Sequence, residues 1–312
     1  MLQFDRLKLA TSSQYITNLN PTQFLETPMK QGNYYYKYHQ DSPFSLTIIN
    51  NPRKSELVID FTGKVLKDDY PSLISYKTIR QCFDNICAIR ICDLDIDAIL
   101  NNSEVCVCDV TQDIVCNHPM AEIKRHIKAS IKNYDKWLFK NCRNNGLEIY
   151  NSVTTSRRFK RFILYDKAKE MKRAENRGFL DCVDDPNALL HQFDGKVRLE
   201  LNLRSKEQIR NYLHVPNNQL QAVLNSTAAP ILAIYDDSIA ETIPVSNAIY
   251  NKTEKMALLE QCNYDLQAVE MKIREHTPTN TSIRRKMEPF RILLQSIRNT
   301  ETNPMNLREF IA

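Results

Sequence analysis

The chain of 312 residues has little glycine and lacks several signatures of common protein classes. It contains five glycines and no glycine-rich phosphate loop, which argues against an ATP-driven helicase. It also has no apolar run near the roughly 18 residues of a transmembrane helix, and no lipidation motif. No charged and then apolar leader opens the sequence. We therefore expect a cytoplasmic protein with no membrane role.

Disulfides and zinc knuckles are not indicated either. The nine cysteines are an odd number in a long chain, so we expect free thiols. Cys106, Cys108, Cys116 and His118 could be drawn as a zinc site. Structural zinc sites usually use Cys-x-x-Cys pairs, however, and Cys106 and Cys108 also fit as small apolar strand residues. We favour the strand interpretation.

The overall composition is that of an ordinary globular protein, with 42% apolar and 25% charged residues. The formal net charge of +5 is mild support for a polyanionic partner. The length favours two domains, and we place the boundary near Val215, giving segments 1–215 and 216–312. The sequence leaves the oligomeric state open.

The stretch from Arg161 to Glu170 combines a strand pattern with reactive side chains. Alternation over this strand puts four side chains on one face: Arg161, Ile163, Tyr165 and Lys167. A helical pattern begins at Ala168, so Glu170 falls in its first turn. Residues 157 to 177 carry nine Lys or Arg against three Asp or Glu. The simpler alternative is a sheet tyrosine beside a solvated basic helix.

Two further strands carry polar side chains on one face. The strand from Val105 to Ile114 sets Asp109, Thr111 and Asp113 against its apolar residues. Aspartate is depleted in strand interiors, so a carboxylate pair there indicates a site. The strand beginning at Val197 has an apolar face, and its other face carries four polar residues: Arg198, Glu200, Asn202 and Arg204.

These strands together contain the groups that phosphodiester transfer needs: a nucleophile, charge neutralisation and positioning. Tyr165 would attack phosphorus and form a covalent intermediate. Lys167 would offer a positive point charge to the phosphate or to the phenolate. Four carboxylates are candidate ligands of Mg²⁺ or Mn²⁺: Asp109, Glu200, Asp113 and Glu170. Six basic residues are candidate DNA contacts: Arg157, Arg158, Lys160, Arg161, Arg198 and Arg204. Tyr150 and Tyr134 are the nearest alternative nucleophiles.

Three segments resemble the signatures of a known family, in the same order over roughly residues 30 to 215. The segments are Cys108–Thr111, Thr154–Arg158 continuing into Leu164–Glu170, and Val197–Asn202. They resemble the gene-two replication initiators of filamentous phages, and the related plasmid initiators and integrative-element relaxases grouped as replication initiation factors. Val58–Leu66 resembles an upstream segment of the phage proteins. The chain departs from the phage pattern at Cys108, where those proteins carry a basic residue, and in its shorter C-terminal region.

The resemblance implies an enzyme that nicks one strand at a replication origin, with segment 1–215 as its nicking and joining domain. Tyr165, in the pattern Tyr-x-Lys-x-x-Glu, would be the nucleophile, and Asp109 and Glu200 match the acidic residues of the first and third signatures. Origin DNA would be the partner, a host helicase and polymerase are candidate partners, and a phage-encoded protein would act in the host cytoplasm. The sequence has no His-x-His pair, which favours carboxylate-based metal binding over the two-histidine site of other rolling-circle endonucleases.

Two other functions stay open on these residues. A binding module could recognise an origin or transcript with the same basic surface and no chemistry, and a conjugative relaxase would use the same chemistry. The expected fold is α+β: a mostly antiparallel sheet with helices on one face, followed by a helical C-terminal region. Helical spacing predicts, in that region, one long helix capped by Thr253 and reaching Ile273, and a basic helix over Ser282–Arg298 with a kink or break at Pro289.

Overall fold

The computed structural model describes residues 2–28, 34–132, 136–142, 146–153, 159–239, 252–277, 279–299 and 307–311. Within these ranges the chain has an α+β fold with a large antiparallel sheet of ten strands, which confirms the fold class predicted from the sequence. The nine cysteines, all in described segments, are free thiols. Among the described helices, none combines the length and the apolar character needed to span a membrane.

The strands form where branched, aromatic and apolar residues alternate with polar ones. Their bounds are β1 (Phe4–Thr11), β2 (Ile16–Thr17), β3 (Leu25–Pro28), β4 (Tyr34–Gln40), β5 (Leu46–Asn51), β6 (Glu56–Thr62), β7 (Asp93–Leu94), β8 (Glu104–Val115), β9 (Trp137–Asn141), β10 (Leu147–Asn151), β11 (Arg161–Asp166) and β12 (Lys196–Leu203). The ten-stranded sheet has the order β3, β4, β5, β6, β1, β8, β12, β11, β10, β9, and β2 pairs separately with β7.

The helices in the described segments include both short connecting turns and longer packed elements. Their bounds are α1 (Ile79–Ala88), α2 (Ile96–Asn102), α3 (Met120–Ser130), α4 (Lys167–Met171), α5 (Arg177–Leu180), α6 (Pro186–His191), α7 (Lys206–Leu213), α8 (Leu220–Leu224), α9 (Pro230–Ser238), α10 (Lys252–Gln261), α11 (Leu266–Arg274), α12 (Asn280–Asn299) and α13 (Leu307–Ile311). A 3₁₀ segment, Gly63–Ser72, follows β6.

The strand order brings segments that are distant in sequence together at the centre of the sheet. Three residue pairs join β12 to β8 on one face: Arg198 with Asp113, Glu200 with Thr111, and Asn202 with Asp109. Three pairs join β12 to β11 on the same face: Arg198 with Tyr165, Glu200 with Ile163, and Asn202 with Arg161. The alternation predicted for these three strands is confirmed. These residues define the polar face of the sheet.

The opposite, apolar face carries the core. Val110, Leu199 and Phe162 on this face are almost completely buried. Helices α7, α8 and α9 pack against β8, and α9 also packs against β12. Further along the sheet, Phe83 of α1 packs on Phe61 of β6 with 5.6 Å between ring centroids. Most of the helical mass therefore covers one face, and only part of the polar face is covered.

Some element boundaries differ from those predicted. β11 ends at Asp166 because its side chain accepts a hydrogen bond from the Lys169 N–H at 2.9 Å and caps α4. The long C-terminal helix predicted from Thr253 is wrong: two helices, α10 and α11, replace it, and α10 begins at Lys252. Between them Asn263 and Tyr264 have positive φ values of 50° and 58°, which a continuous helix cannot accommodate.

Gly146 immediately precedes β10, at a point where the chain packs closely against β11 beside Tyr165. A Cβ atom at this position would lie 2.8 Å from the carbonyl oxygen of Leu164 and 2.8 Å from Cβ of Tyr165. Neither atom can rotate away, because one belongs to the backbone and the other is bonded directly to it. The closeness of β10 and β11 therefore requires glycine here.

We expect Gly146→Ala to lower the free energy of unfolding by about 1–3 kcal/mol, since it forces extra volume into a packed site. Urea denaturation measures the change. Gly178→Ala is the matched control, because the atom that it would crowd is the Ser42 hydroxyl, which can rotate, and because alanine favours a helix such as α5. An equal loss in both variants would contradict the close approach at Gly146.

Candidate active site

Tyr165 lies near the end of β11 with its side chain on the polar face. Its hydroxyl donates a hydrogen bond to Oε1 of Glu200 at 2.6 Å. The sheet register explains the contact: Tyr165 lies opposite Arg198, so Glu200 is its diagonal neighbour, and long side chains reach across that distance. The structure thus brings together two residues that the sequence predicted for one site.

The protonation properties of this pair follow from its burial. Burial raises the pKa of Tyr165 well above its ordinary value, and the negative charge of Glu200 raises it further. A neutral phenol needs a base before it can act as a nucleophile. Burial, with the nearby charge of Asp5, raises the pKa of Glu200 to about 7. A carboxylate that titrates near neutrality and already accepts the phenol hydrogen bond is suited to take that proton.

Asp109 of β8 lies on the same face and accepts a hydrogen bond from the side-chain amide of Asn202. Burial raises the pKa of Asp109, while the Asn202 hydrogen bond and the charge of Arg6 offset part of the increase. The charge of Asp109 also contributes to the raised pKa of Glu200. The two carboxylates therefore interact electrostatically.

Asp5 is a member of the site that the sequence prediction missed. The register between β1 and β8 shifts between Phe4 and Arg6, so β1 has a bulge at Asp5. The negative charge of Asp5 raises the pKa of both Asp109 and Glu200. A sequence signal was present, since two consecutive polar residues, Asp5 and Arg6, interrupt the apolar alternation of this strand.

Arg198 occupies the centre of the polar face and is 0% exposed. Its Nε and Nη2 donate to the two carboxylate oxygens of Asp113 at 2.7 and 2.8 Å, and its Nη1 donates to Asp5 at 3.0 Å. The sequence predicted Arg198 as a DNA contact and Asp113 as a metal ligand. The structure instead pairs these two residues with each other inside the fold, so neither position supports the predicted role.

Lys167 and Glu170 form a second buried pair beside the tyrosine. Nζ of Lys167 donates to Glu170 at 2.6 Å and lies 5.8 Å from the ring centroid of Tyr165. Burial by itself would raise the pKa of Glu170, but the charge and hydrogen bond of Lys167, with a hydrogen bond from Asn176, outweigh burial and lower it. Lys167 is thus adjacent to the tyrosine as predicted, while Glu170 is engaged by its own partners rather than by Asp109 or Glu200.

Tyr70, in the 3₁₀ segment Gly63–Ser72, connects the two buried pairs. Its hydroxyl accepts hydrogen bonds from Lys167 at 2.8 Å and from Arg198 at 3.0 Å, and donates one to Asp5 at 2.8 Å. The rings of Tyr70 and Phe193 lie 5.4 and 5.6 Å from Cζ of Arg198. The sequence prediction missed Tyr70, and no local pattern marks it, since its partners come from three other segments.

The carboxylates were tested for a fit to a divalent cation. Within the described ranges, no group of three or more His, Cys, Asp or Glu side chains is arranged to hold a metal ion. Asp109 and Glu200 lie on the same face of the neighbouring strands β8 and β12, and burial is the main cause of their raised pKa values. Mg²⁺ is commonly bound by one or two carboxylates together with substrate phosphates and water. Two carboxylates supply the oxygen donors that this mode of binding uses.

The predicted DNA contacts have different environments. Arg157 and Arg158 lie outside the described residues. Lys160 points to the helical side of the sheet, where its Nζ lies 3.4 Å from Asp237 of α9. Arg161 is partly exposed on the polar face and donates to Glu148 of β10 at 3.0 Å. Arg204 is exposed just beyond β12, on the same face.

The alternative residues considered from the sequence also have defined positions. Tyr150 of β10 is on the polar face opposite Arg161, whereas Tyr134 lies outside the described residues. Cys108 is buried on the apolar face, and burial raises the pKa of the Cys106 and Cys108 thiols. A raised pKa favours the thiol over the thiolate that binds zinc.

A scan of the chain against models of known protein families found no match, and a search among curated proteins found none either.

We expect a divalent cation to stabilise the protein through Glu200 in a pH-dependent manner. Without metal, the stability that protonated Glu200 contributes is fully present below its unfolded pKa of 4.5 and is lost as pH rises through about 7. The melting temperature of the unaltered protein in chelator should therefore fall more steeply than that of Glu200→Gln between roughly pH 5 and 8. Near pH 8, Mg²⁺ should restore the melting temperature of the unaltered protein, because the cation supplies positive charge beside the ionised Glu200.

Glu207→Gln, which changes an exposed glutamate on α7, serves as the control and should leave the dependence of melting temperature on pH unchanged. Identical pH profiles for the unaltered protein and Glu200→Gln would contradict the raised pKa. Equal stabilisation of both by Mg²⁺ would mean that the cation binds elsewhere.

Proposed function

We propose that the protein nicks and rejoins one strand of DNA at a replication origin, as the rolling-circle initiator of a phage or plasmid. The observation that carries this proposal is the 2.6 Å hydrogen bond from the Tyr165 hydroxyl to Glu200. It joins the phenol to a carboxylate that accepts its hydrogen bond, which is the geometry a general base needs to take the proton. The resemblance of the surrounding motifs to replication initiators supports the same reaction.

The reaction can be written from these two residues. Oη of Tyr165 attacks the phosphorus of the scissile phosphodiester while its proton passes to Oε1 of Glu200. The bond between phosphorus and the 3′ oxygen breaks, and Glu200 returns the proton to that oxygen. The products are a 5′-phosphotyrosyl bond and a free 3′-hydroxyl. Attack of the hydroxyl on the phosphotyrosyl bond reverses these steps and rejoins the strand.

Asp109 and Glu200 are the residues that would hold Mg²⁺ or Mn²⁺. When bound, the cation supplies charge neutralisation at the phosphate. Nζ of Lys167, which is paired with Glu170, lies 5.8 Å from the ring centroid of Tyr165 and is a cation beside the tyrosine. Asn202 orients Asp109 through its hydrogen bond, and Arg198 neutralises Asp113 and Asp5 beneath the site.

Origin DNA is the proposed partner, and the cytoplasm of the host cell is the proposed location. The 3′-hydroxyl left by the nick can prime a host polymerase, and a host helicase would open the duplex ahead of it. Arg161 and Arg204 are two of the predicted DNA contacts that lie on the same face as Tyr165, where they would position the DNA backbone.

Tyr165→Phe tests the covalent step. The substitution keeps the ring and removes one hydroxyl, so DNA binding and folding should change by about 1 kcal/mol or less while adduct formation disappears. The unaltered protein, incubated with an origin oligonucleotide and Mg²⁺, should give an adduct that survives a denaturing gel and maps to Tyr165 by mass spectrometry. Tyr150→Phe is the matched control and should form the adduct. An adduct on Tyr150 would retain the reaction class and exclude the proposed nucleophile.

Asp109→Asn tests the metal requirement. The amide is nearly isosteric but a weaker ligand for a hard cation, so nicking of a supercoiled replicon should be abolished while DNA binding is largely retained. Chelation should have the same effect on the unaltered protein. Asp181→Asn, an exposed aspartate after α5, is the control. Undiminished nicking by Asp109→Asn would remove this residue from the site.

Tight origin binding without nicking or an adduct in the unaltered protein would favour a binding module without chemistry.

A further inference from the structure

Two aromatic rings lie side by side on the polar face, away from its buried end. Tyr150 belongs to β10, and Phe159 lies two residues before the start of β11. Their ring centroids are 6.1 Å apart and their planes are inclined by 36°. Both side chains are partly exposed. The sheet core lies on the opposite face, where Ile149 and Phe162 are 0% exposed, so these two rings are not core residues.

Cationic side chains flank the two rings. Nζ of Lys140 lies 5.6 Å from the centroid of Tyr150, and Cζ of Arg204 lies 5.4 Å from the centroid of Phe159. Arg161 lies opposite Tyr150 in the register and shares the carboxylate of Glu148 with Lys140. Two cations therefore share one carboxylate, and Arg204 adds a third positive charge beside the rings. An aromatic surface with excess positive charge is complementary to the bases and phosphates of a nucleic acid.

The backbone that presents Phe159 is held on both sides. Nε2 of Gln208, a buried residue of α7, donates to the carbonyl oxygen of Phe159 at 2.8 Å. The Lys160 N–H donates to the side-chain oxygen of Asn151 at 2.8 Å, and the Asn151 N–H donates to the Lys160 carbonyl at 3.2 Å. A ring on a fixed backbone loses little freedom when a base stacks on it.

The rings are also aligned with the proposed nucleophile. Phe159, Arg161, Ile163 and Tyr165 follow one another at alternate positions, so they share a face of the sheet. Tyr165 is six positions beyond Phe159, which corresponds to about 20 Å for an extended chain at roughly 3.3 Å per residue. A strand of DNA with its scissile phosphate at Tyr165 would reach the rings within a few nucleotides.

We propose that Phe159 and Tyr150 form a base-stacking subsite for single-stranded DNA, with Lys140, Arg161 and Arg204 supplying the charge for its phosphates. This inference rests on the proposed function for its choice of substrate. The occupant is single-stranded because the faces of duplex bases are already stacked on one another and cannot meet a side-chain ring.

Binding without cleavage tests the subsite. All proteins carry Tyr165→Phe and are measured in chelator, and a labelled oligothymidine without origin sequence is the probe, followed by fluorescence anisotropy. Phe159→Leu and Tyr150→Leu keep apolar side chains but remove the stacking surface. Each should weaken binding about tenfold, at the scale of one lost base stack. The slope of log affinity against log salt should stay the same, because no phosphate contact is lost.

Two variants serve as controls. Phe159→Tyr keeps a ring and should bind like the parent, which separates stacking from general packing. Tyr76→Leu removes an aromatic residue that is 50% exposed beside α1 and should have no effect. A duplex of the same length should be insensitive to Phe159→Leu. The subsite would be excluded if the two leucine variants bound oligothymidine like the parent, or if Phe159→Leu and Phe159→Tyr weakened binding equally.

The outcome is independent of the nicking test. Loss of oligothymidine binding on Phe159→Leu, combined with no adduct at any tyrosine, would leave the subsite standing in a non-catalytic binding protein. An adduct at Tyr165 with unchanged oligothymidine binding in the leucine variants would leave the nicking function standing without this subsite.

Discussion

The structure depends on keeping a fully buried guanidinium neutralised at the centre of its sheet. Arg198 is 0% exposed, and an ion removed from water is tolerated only when its charge and its hydrogen bonds are satisfied. Asp113 on β8, Asp5 on β1 and Tyr70 on the segment after β6 satisfy them together. These contacts fix β12 against β8 and, beyond β8, against β1. Glu200, two residues further along β12, takes its position from the same constraint.

Charge balance changes along the polar face, and this change separates structural groups from reactive ones. Around Arg198 and Lys167, cations and carboxylates are paired, and the pKa of Glu170 is lowered as in an ordinary ion pair. Around Glu200 and Asp109, burial without enough positive charge raises both pKa values. A group that is destabilised in its charged form can exchange a proton or accept a cation at lower cost. The proposed function uses both of these carboxylates, and perturbed groups of this kind occur at functional sites.

The sequence was sufficient to predict the α+β class, most central strands and the shared face of Tyr165, Asp109 and Glu200, because alternation with a period of two specifies faces. It could not predict how deeply each residue of that face is buried. Arg198 alternates with the same period as Glu200, yet Tyr70 and Phe193 cover it, and that covering comes from segments whose position alternation does not specify. Asp5 depends on a bulge, and the break between α10 and α11 depends on two residues with positive φ. Both are local departures from regular geometry that periodicity averages out.

Because one end of the polar face is covered, the site is accessible from the other end. Tyr70, Phe193 and Lys167 close the face beyond Tyr165, whereas toward Arg161, Phe159 and Arg204 it stays accessible. A polymer that reaches Tyr165 along the sheet must therefore lie over this accessible side, because the other side would require opening a buried ion network. The same network that neutralises Arg198 thus limits where the proposed DNA strand would approach. It leaves the partly exposed rings and the arginines as the surface along which the strand would extend.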